Sequence, residues 1–170
     1  IFLVTQREIG VNAPEEKDLY TIGTVAHISQ ILRLGQSSVR VMVEGRQRAH
    51  LRRLWQTEPF LQANVEAVPE EPPSEAMRKS PRTEALLRQT YALFGEYAQQ
   101  ASGVPEEVVT AVMDSRDPGF LADYIAQNIA LRYTDKQEIL EEFSPFARLR
   151  KLNGFLVREN NVLSFEHEME

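Results

Sequence analysis

The chain has 170 residues, of which 42% are apolar and 26% charged, with no cysteine and a formal net charge of −6. This composition excludes an intrinsically disordered chain, a disulfide-linked fold and a metal site built on thiolates. No apolar run approaches the length of about 18 residues that a membrane-spanning helix needs. We expect no membrane partner and a cytoplasmic location.

The negative charge is unevenly distributed along the chain. Residues 1–73 carry 8 Lys and Arg against 9 Asp and Glu, whereas residues 74–170 carry 11 against 16. Proteins that bind nucleic acid need clustered Lys and Arg to contact phosphates. Nucleic acid is therefore not expected to be the partner of this chain.

Residues 1–69 have the pattern of a β-rich subdomain, with runs of β-branched residues between turn-forming residues. The long run Tyr20–Leu34 reads as one strand, with a bend near Gly23 or Ala26. The chain starts at Ile1 inside a strand-like run without a Met, so we interpret it as part of a longer protein. The predicted strands are Ile1–Gln6, Tyr20–Leu34, Val39–Glu44, about Gln47–Trp55, and Leu61–Val68.

The third predicted strand shows the clearest alternation. Val39, Val41 and Val43 occupy every second position, which is typical of a strand with one buried face. The turn at residues 35–38 predicts that this strand pairs with the preceding one in a hairpin. Gly45 is expected to end it.

Residues 70–79 are predicted to be a linker, because Pro72 and Pro73 can continue neither a strand ladder nor a helix. Residues 80–170 have helical patterns throughout. Ser80 and Ser144 each precede a proline and are predicted helix N-caps.

The remaining helix boundaries come from shorter signals. Thr134 with Gln137 fits a capping box at the start of a short helix. Residues 117–119 are interpreted as the end of one helix, and Phe120–Leu131 as the next. The last helix is expected to pack through a heptad-like row and to continue beyond the chain; that row is Leu149, Leu152, Leu156 and Leu163.

The sequence contains no recognisable active site. Phosphate-binding glycine motifs are absent, and no serine lies in a nucleophile motif. The three histidines, His27, His50 and His167, are scattered and have no cysteine partner, so no metal site is predicted. We expect a non-catalytic chain without a cofactor.

Four basic residues fall at every second position of a predicted strand: Arg46, Arg48, His50 and Arg52. On a regular strand they would share one face and could bind an anion. Alternatively they form the solvated face of a strand whose other face, with Ala49 and Leu51, is buried. The net negative charge of the chain favours the solvated face.

Apolar residues surround the loop between the last two predicted strands. A single tryptophan is more often part of a core than of a contact surface. Aromatic residues beside a loop are nevertheless typical of peptide-binding surfaces. The sequence therefore indicates a candidate peptide-binding surface, which we call the loop cluster: Leu54, Trp55, Pro59, Phe60 and Leu61.

Several segments resemble one known family. Residues 18–28, D-L-Y-T-I-G-T-V-A-H-I, are similar to the D-L-Y-x-x-G-T-x-A-x-I signature of the amino-terminal domain of the Lon protease family. Residues 39–49 resemble its V-x-V-L-V-E-G-x-x-R-A segment, and residues 117–123, 135–141 and 148–159 resemble its helical part. The resemblance covers nearly the whole chain.

The resemblance implies an α+β fold, with a PUA-like β pseudo-barrel followed by an α-helical bundle that ends in a long C-terminal helix. It implies a non-catalytic region that recognises unfolded or damaged proteins and helps to organise a homo-hexameric, ATP-dependent serine protease. ATP, Mg and the peptidase would belong to parts outside this chain. Family members have a further strand and helix before the position of Ile1.

Two alternatives remain open at this stage. A stand-alone adaptor protein could use the same fold without a motor. A PUA-like RNA-binding module could use the basic stripe, although that argument rests on analogy between folds.

Overall fold

The computed structural model describes residues 1–70 and 72–169. The chain divides into two compact units, Ile1–Pro69 and Glu70–Glu170, which we call the β unit and the helical unit. The predicted α+β class is confirmed: in the described residues an antiparallel sheet of four strands is followed along the chain by six α-helices.

The β unit is a meander of four strands, β1 Phe2–Leu3, β2 Ile22–Arg33, β3 Val39–Gln56 and β4 Gln62–Ala67, which lie in the order β1-β2-β3-β4. Its small core consists of side chains from the strands and from the segment before β2, among them Leu19, Ile22 and Leu51. β2 and β3 are much longer than β1 and β4, so they extend beyond the outer strands of the sheet.

The prediction that Gly45 ends a strand is wrong. β3 continues through this residue, and Gly45 pairs with Ala26 on β2. A glycine weakens a strand but does not end it when the partner strand continues alongside. The two short strands predicted at Val39–Glu44 and Gln47–Trp55 are therefore one.

The predicted bend in β2 has a structural counterpart in the register of the sheet. Between Val25 and Ala26 the partner strand contributes one extra residue, Arg46, which marks a β-bulge. Gly23 lies close to β1, since a Cβ atom at this position would lie 2.3 Å from the carbonyl oxygen of Leu3. Glycine is thus required where the two strands approach each other.

The far part of the β2–β3 hairpin is a two-stranded ribbon that we call the arm, residues 27–33 and 39–47. β1 pairs only with Thr24 and Val25, and β4 pairs only from Ala49 onward. The expectation that one face of Val39–Glu44 is buried is wrong, because every residue of this segment is exposed. In the described residues of the β unit, neither a third strand nor a helix packs on the arm.

The helical unit begins with a short helix inside the segment predicted as a linker. Glu70, in the same segment, accepts a hydrogen bond of 2.7 Å from Arg148, so this part of residues 70–79 has defined structure. The helices are α1 Glu75–Arg78, α2 Pro81–Gln100, α3 Glu106–Asp114, α4 Pro118–Asn128, α5 Tyr133–Glu141 and α6 Pro145–Met169.

Two of the predicted helix starts are confirmed. The hydroxyl of Ser80 accepts a hydrogen bond from the backbone N–H of Thr83 at 3.2 Å, and α2 begins at the following proline. The hydroxyl of Ser144 lies 3.5 Å from the backbone nitrogen of Ala147, and α6 begins at Pro145.

Two other boundaries differ from prediction. Asp117 begins a helix rather than ending one: its carboxylate accepts hydrogen bonds from the backbone N–H groups of Gly119 and Phe120, at 2.8 and 3.0 Å. Proline at the first helical position fits this start. Thr134 is not an N-cap, because α5 begins at Tyr133 and its cap residue is Arg132.

The helical unit packs around α6. The predicted leucines Leu149, Leu152 and Leu156 are fully buried, whereas Leu163 is only partly buried. Further along the helix the buried position is Asn160, whose side chain donates to the backbone carbonyl of Leu93 at 3.0 Å. The buried row follows the 3.6-residue helical period.

An arginine is buried in this unit. Arg148 is inaccessible to solvent, and its guanidinium contacts Glu70 at 2.7 Å and Asp123 at 3.2 Å. A buried charge needs such partners, since loss of one leaves an uncompensated ion in the interior. The network connects α4 and α6 with the segment before α1.

Asp135 is a second buried charge. Burial raises the pKa of Asp135, but hydrogen bonds from Arg132 and Arg158 outweigh burial and hold its pKa below the ordinary value of 3.8. A carboxyl group with a lowered pKa in the folded state contributes stability above its ordinary pKa. That contribution is lost as the pH falls through the lowered pKa.

We therefore expect Asp135→Asn to reduce the free energy of unfolding at neutral pH and to flatten its decrease under acid conditions. Denaturant titrations at several pH values between neutral and strongly acidic would measure this. Asp114→Asn, at an exposed position, is the matched control and should retain the wild-type slope. Identical acid profiles for Asp135→Asn and wild type would contradict the assignment.

The helix start at Asp117 gives a second prediction. Asp117→Ala removes the cap of α4 and should lower the free energy of unfolding by about 1 kcal/mol. Asp114→Ala, at the exposed end of α3, should change it by less than about 0.5 kcal/mol. Equal effects of the two substitutions in urea denaturation would rule out the capping role of Asp117.

Candidate functional site

The loop cluster lies where β3 ends and β4 begins. Gln56 pairs with Gln62 across the ladder, and the side chain of Gln56 donates to the backbone carbonyl of Phe60 at 3.0 Å. The peptide bond between Glu58 and Pro59 is cis. The turn at residues 57–61 is therefore closed by specific hydrogen bonds.

Three of the large side chains of this cluster are exposed. Trp55 is 53% accessible, Phe60 59% and Leu61 51%. The alternative that Trp55 belongs to the core is therefore wrong. Leu54 is half-buried and donates its backbone N–H to the carboxylate of Glu16 at 2.7 Å.

The exposure of Trp55 follows from the sheet register. Leu54 pairs with Ala63 and Gln56 pairs with Gln62, so Trp55 is an extra residue on β3. Such a bulge redirects the side chain and interrupts the alternation of buried and exposed positions. The structure thus places an aromatic ring at the surface at the end of a strand.

The basic stripe is not a continuous cationic face. Arg46 and Arg52 lie at further bulges of β3, so strict alternation fails at both ends of the stripe. Arg46 contacts Glu44 at 2.8 Å, and Arg52 donates to Glu66 at 2.6 Å. On the opposite face Ala49 and Leu51 are buried, as the solvated-face interpretation expected.

The arm is a second apolar surface, which the sequence interpretation missed. The register pairs Ile31 with Val41 and Ile28 with Val43, so these four side chains share one face with Val39. Ile31 and Val39 are each 57% accessible. β-Branched side chains pack well on a pleated surface, and here no part of the described β unit covers them.

The edges of the arm are open as well. Among the described residues, β2 beyond Ala26 pairs in the sheet only with β3, and β3 before Arg48 pairs in the sheet only with β2. An unpaired strand edge presents backbone N–H and C=O groups that can pair with another extended chain. The arm therefore combines an apolar face with free hydrogen-bonding edges.

Metal-binding side chains do not form a further site in residues 1–70 and 72–169. These residues contain no group of three or more His, Cys, Asp and Glu side chains able to hold a metal ion. No helix in the described part of the chain has both the length and the apolar character that membrane crossing requires.

Solved structures with this architecture define its class. The N-terminal domain of the Mycobacterium avium complex Lon protease matches with a TM-score of 0.66 at 20% identity, over 92% of this chain and 90% of that one. A Lon N-terminal domain protein from Xanthomonas campestris gives a TM-score of 0.53 at 16% identity, over 82% and 70%. These similarities establish the fold.

The sequence defines the family. The family model of the ATP-dependent protease La (LON) substrate-binding domain matches residues 1–158, and the chain belongs to this family. The resemblance inferred from the motifs at residues 18–28 and 39–49 is thereby confirmed.

Similar full-length proteins include the Lon proteases of Desulforamulus reducens, 36% identical over 169 residues, and Syntrophomonas wolfei, 37% identical over 169 residues. Lon protease 1 of Bacillus subtilis is 33% identical over 169 residues. Each alignment covers 99% of this chain, and the chain spans about a fifth of the length of these curated relatives.

The exposure of the loop cluster leads to a stability prediction. Trp55→Ala and Phe60→Ala should each change the free energy of unfolding by less than about 1 kcal/mol, because exposed side chains contribute little to folding. Leu51→Ala, which empties a buried position of the same unit, should cost about 2–5 kcal/mol. Loss of the thermal unfolding transition in either aromatic variant would show that the residue is structural.

Proposed function

We propose that this chain is the substrate-recognition region of an ATP-dependent Lon serine protease and that it binds unfolded or damaged proteins without cleaving them. The observation that carries the proposal is the concentration of exposed large apolar side chains on the loop cluster and the arm. Membership of the substrate-binding domain family supports it.

The β unit exposes much of its apolar surface instead of burying it. Trp55, Phe60 and Leu61 are more than half accessible, as are Ile31 and Val39 on the arm. Apolar surface of this kind is typical of protein-interaction sites. An unfolded chain offers apolar side chains and free backbone groups, which match both properties of the arm.

Recognition of many different sequences favours a surface of this type over a deep pocket. Each contact would be weak. In the proposed homo-hexameric parent, several such domains would bind one long substrate together, so avidity would raise the overall affinity. The proposal places ATP, Mg, the motor and the peptidase outside this chain, and it places the parent in the cytoplasm.

The RNA-binding alternative receives less support. Two of the arginines that would have formed its phosphate-binding stripe, Arg46 and Arg52, are paired with glutamates. Phosphate contacts require available Lys and Arg. A protease region and a stand-alone adaptor differ in whether the gene also encodes a motor, so the sequence of the whole gene distinguishes them.

A binding assay tests the proposal. The wild-type chain should bind fluorescently labelled, reduced and carboxymethylated lactalbumin, which is permanently unfolded, and should not bind the same protein in its native disulfide-bonded form. The double variant Trp55→Ala with Phe60→Ala should weaken this binding about thirtyfold, because each substitution removes an apolar anchor worth about 1 kcal/mol. Fluorescence anisotropy measures the affinity.

The arm can be tested in the same assay. Ile31→Thr with Val41→Thr keeps β-branched side chains and thus the strand, but removes apolar surface; it should also weaken binding. Phe165→Ala, an aromatic residue of α6 that is 65% accessible, is the control and should bind as wild type does. Equal binding by all variants, or ATP hydrolysis by the purified chain, would refute the proposal.

A further inference from the structure

The helical unit contains a groove that is separate from the loop cluster and the arm. It has a volume of about 870 Å³ and lies between α1, the first half of α2 and the start of α6. Its apolar wall is formed by Met77, Ala85, Leu86 and Phe146. This volume is in the upper range of ligand sites, which hold molecules much larger than a single ion.

Two arginines line the same groove, Arg82 from α2 and Arg150 from α6. Both are exposed, and neither forms an ion pair or a side-chain hydrogen bond in the part of the chain that the structure describes. Elsewhere in the helical unit the arginines are commonly paired: Arg88, Arg116, Arg132, Arg148 and Arg158 each contact a carboxylate.

The unpaired state of Arg82 and Arg150 is informative because the surroundings are acidic. Residues 74–170 carry 11 Lys and Arg against 16 Asp and Glu. In such a unit most guanidinium groups find a carboxylate of the same chain. Arg82 and Arg150 do not, and because both line the same apolar groove, one from α2 and one from α6, they provide a local positive charge beside apolar surface.

We propose that this groove binds a polypeptide segment in which apolar residues are flanked by Asp or Glu. The apolar side chains would contact Met77, Leu86 and Phe146, and the acidic side chains would pair with Arg82 and Arg150. Arginine suits this role because its planar guanidinium binds carboxylates through two hydrogen bonds. The inference rests on the proposed function for the polypeptide nature of the ligand.

The groove would give the domain a preference for certain substrate sequences, whereas the loop cluster and the arm would select little between sequences. Its acidic surroundings reject anionic chains unless their carboxylates reach the two arginines. Segments with basic flanking residues would meet Arg82 and Arg150 as like charges. A substrate would therefore be distinguished by the charges beside its apolar residues.

The test uses the intact 170-residue chain and three short fluorescein-labelled peptides with the same leucine and valine centre. Their flanking residues are glutamate, glutamine or lysine. We expect the glutamate peptide to bind most tightly and its binding to weaken as salt is added. Arg82→Gln and Arg150→Gln should each reduce its affinity about threefold to fivefold, and the double variant about tenfold.

Lys136→Gln is the matched control, since it removes an exposed cation of α5 that also lacks an ion pair in the described chain. It should leave the affinity of the glutamate peptide unchanged. Circular dichroism of every variant checks that the helices are intact. Binding of the glutamine peptide should not respond to either arginine substitution.

Three outcomes would overturn the inference: equal affinity for the three peptides, an equal effect of Lys136→Gln, or full displacement of the glutamate peptide by decanoate, which would indicate a fatty-acid site. The proposed function is refuted independently of the groove inference if the wild-type chain does not bind unfolded lactalbumin. If the chain binds unfolded lactalbumin but binds the three peptides equally, only the proposal for the groove is overturned.

Discussion

The unequal lengths of hydrogen-bonded strands constrain the β unit. β2 and β3 pair with each other from Ile22 to the turn after Arg33, but β1 and β4 accompany them over only part of that distance. Backbone hydrogen bonds hold the far part of the hairpin together, while no other strand in the described residues of the β unit accompanies it. Because the unit has few residues with which to cover this ribbon, the apolar face of the arm is exposed. The proposed binding surface follows from that geometry.

Bulges determine which side chains the sheet presents to solvent. In a strand with regular alternation, the four basic side chains of the stripe would share one face. The face to which Trp55 points would then follow from its position in the sequence. The extra residues at Arg46, Arg52 and Trp55 reset the alternation three times along β3. Arg46 and Arg52 pair with nearby glutamates, and the indole of Trp55 is accessible. In the helical unit, by contrast, regular helical periodicity buries a leucine row on α6.

Local signals were predictable from sequence, and features that depend on distant partners were not. Ser80 could be identified as a cap because its hydrogen bond closes within the same helical turn. Asp117 was misinterpreted because Asp-Pro-Gly is compatible with both the end of one helix and the start of another. The continuation of β3 through Gly45 depends on β2, which lies across the sheet. Exposure of the arm and of Trp55 depends on the lengths and register of neighbouring strands, which residue patterns do not encode.

Open edges on the arm also affect how copies of this chain behave toward one another. The arms of two copies, with apolar faces and unsatisfied backbone groups, could pair edge to edge, which is the first step of β-aggregation. Arg33, Arg40 and Arg46 give each ribbon an excess of positive charge over its single acidic residue, Glu44. Like charges oppose the stacking of identical ribbons while leaving foreign segments free to approach. The arginines of the arm are thus expected to disfavour association between identical copies of this surface.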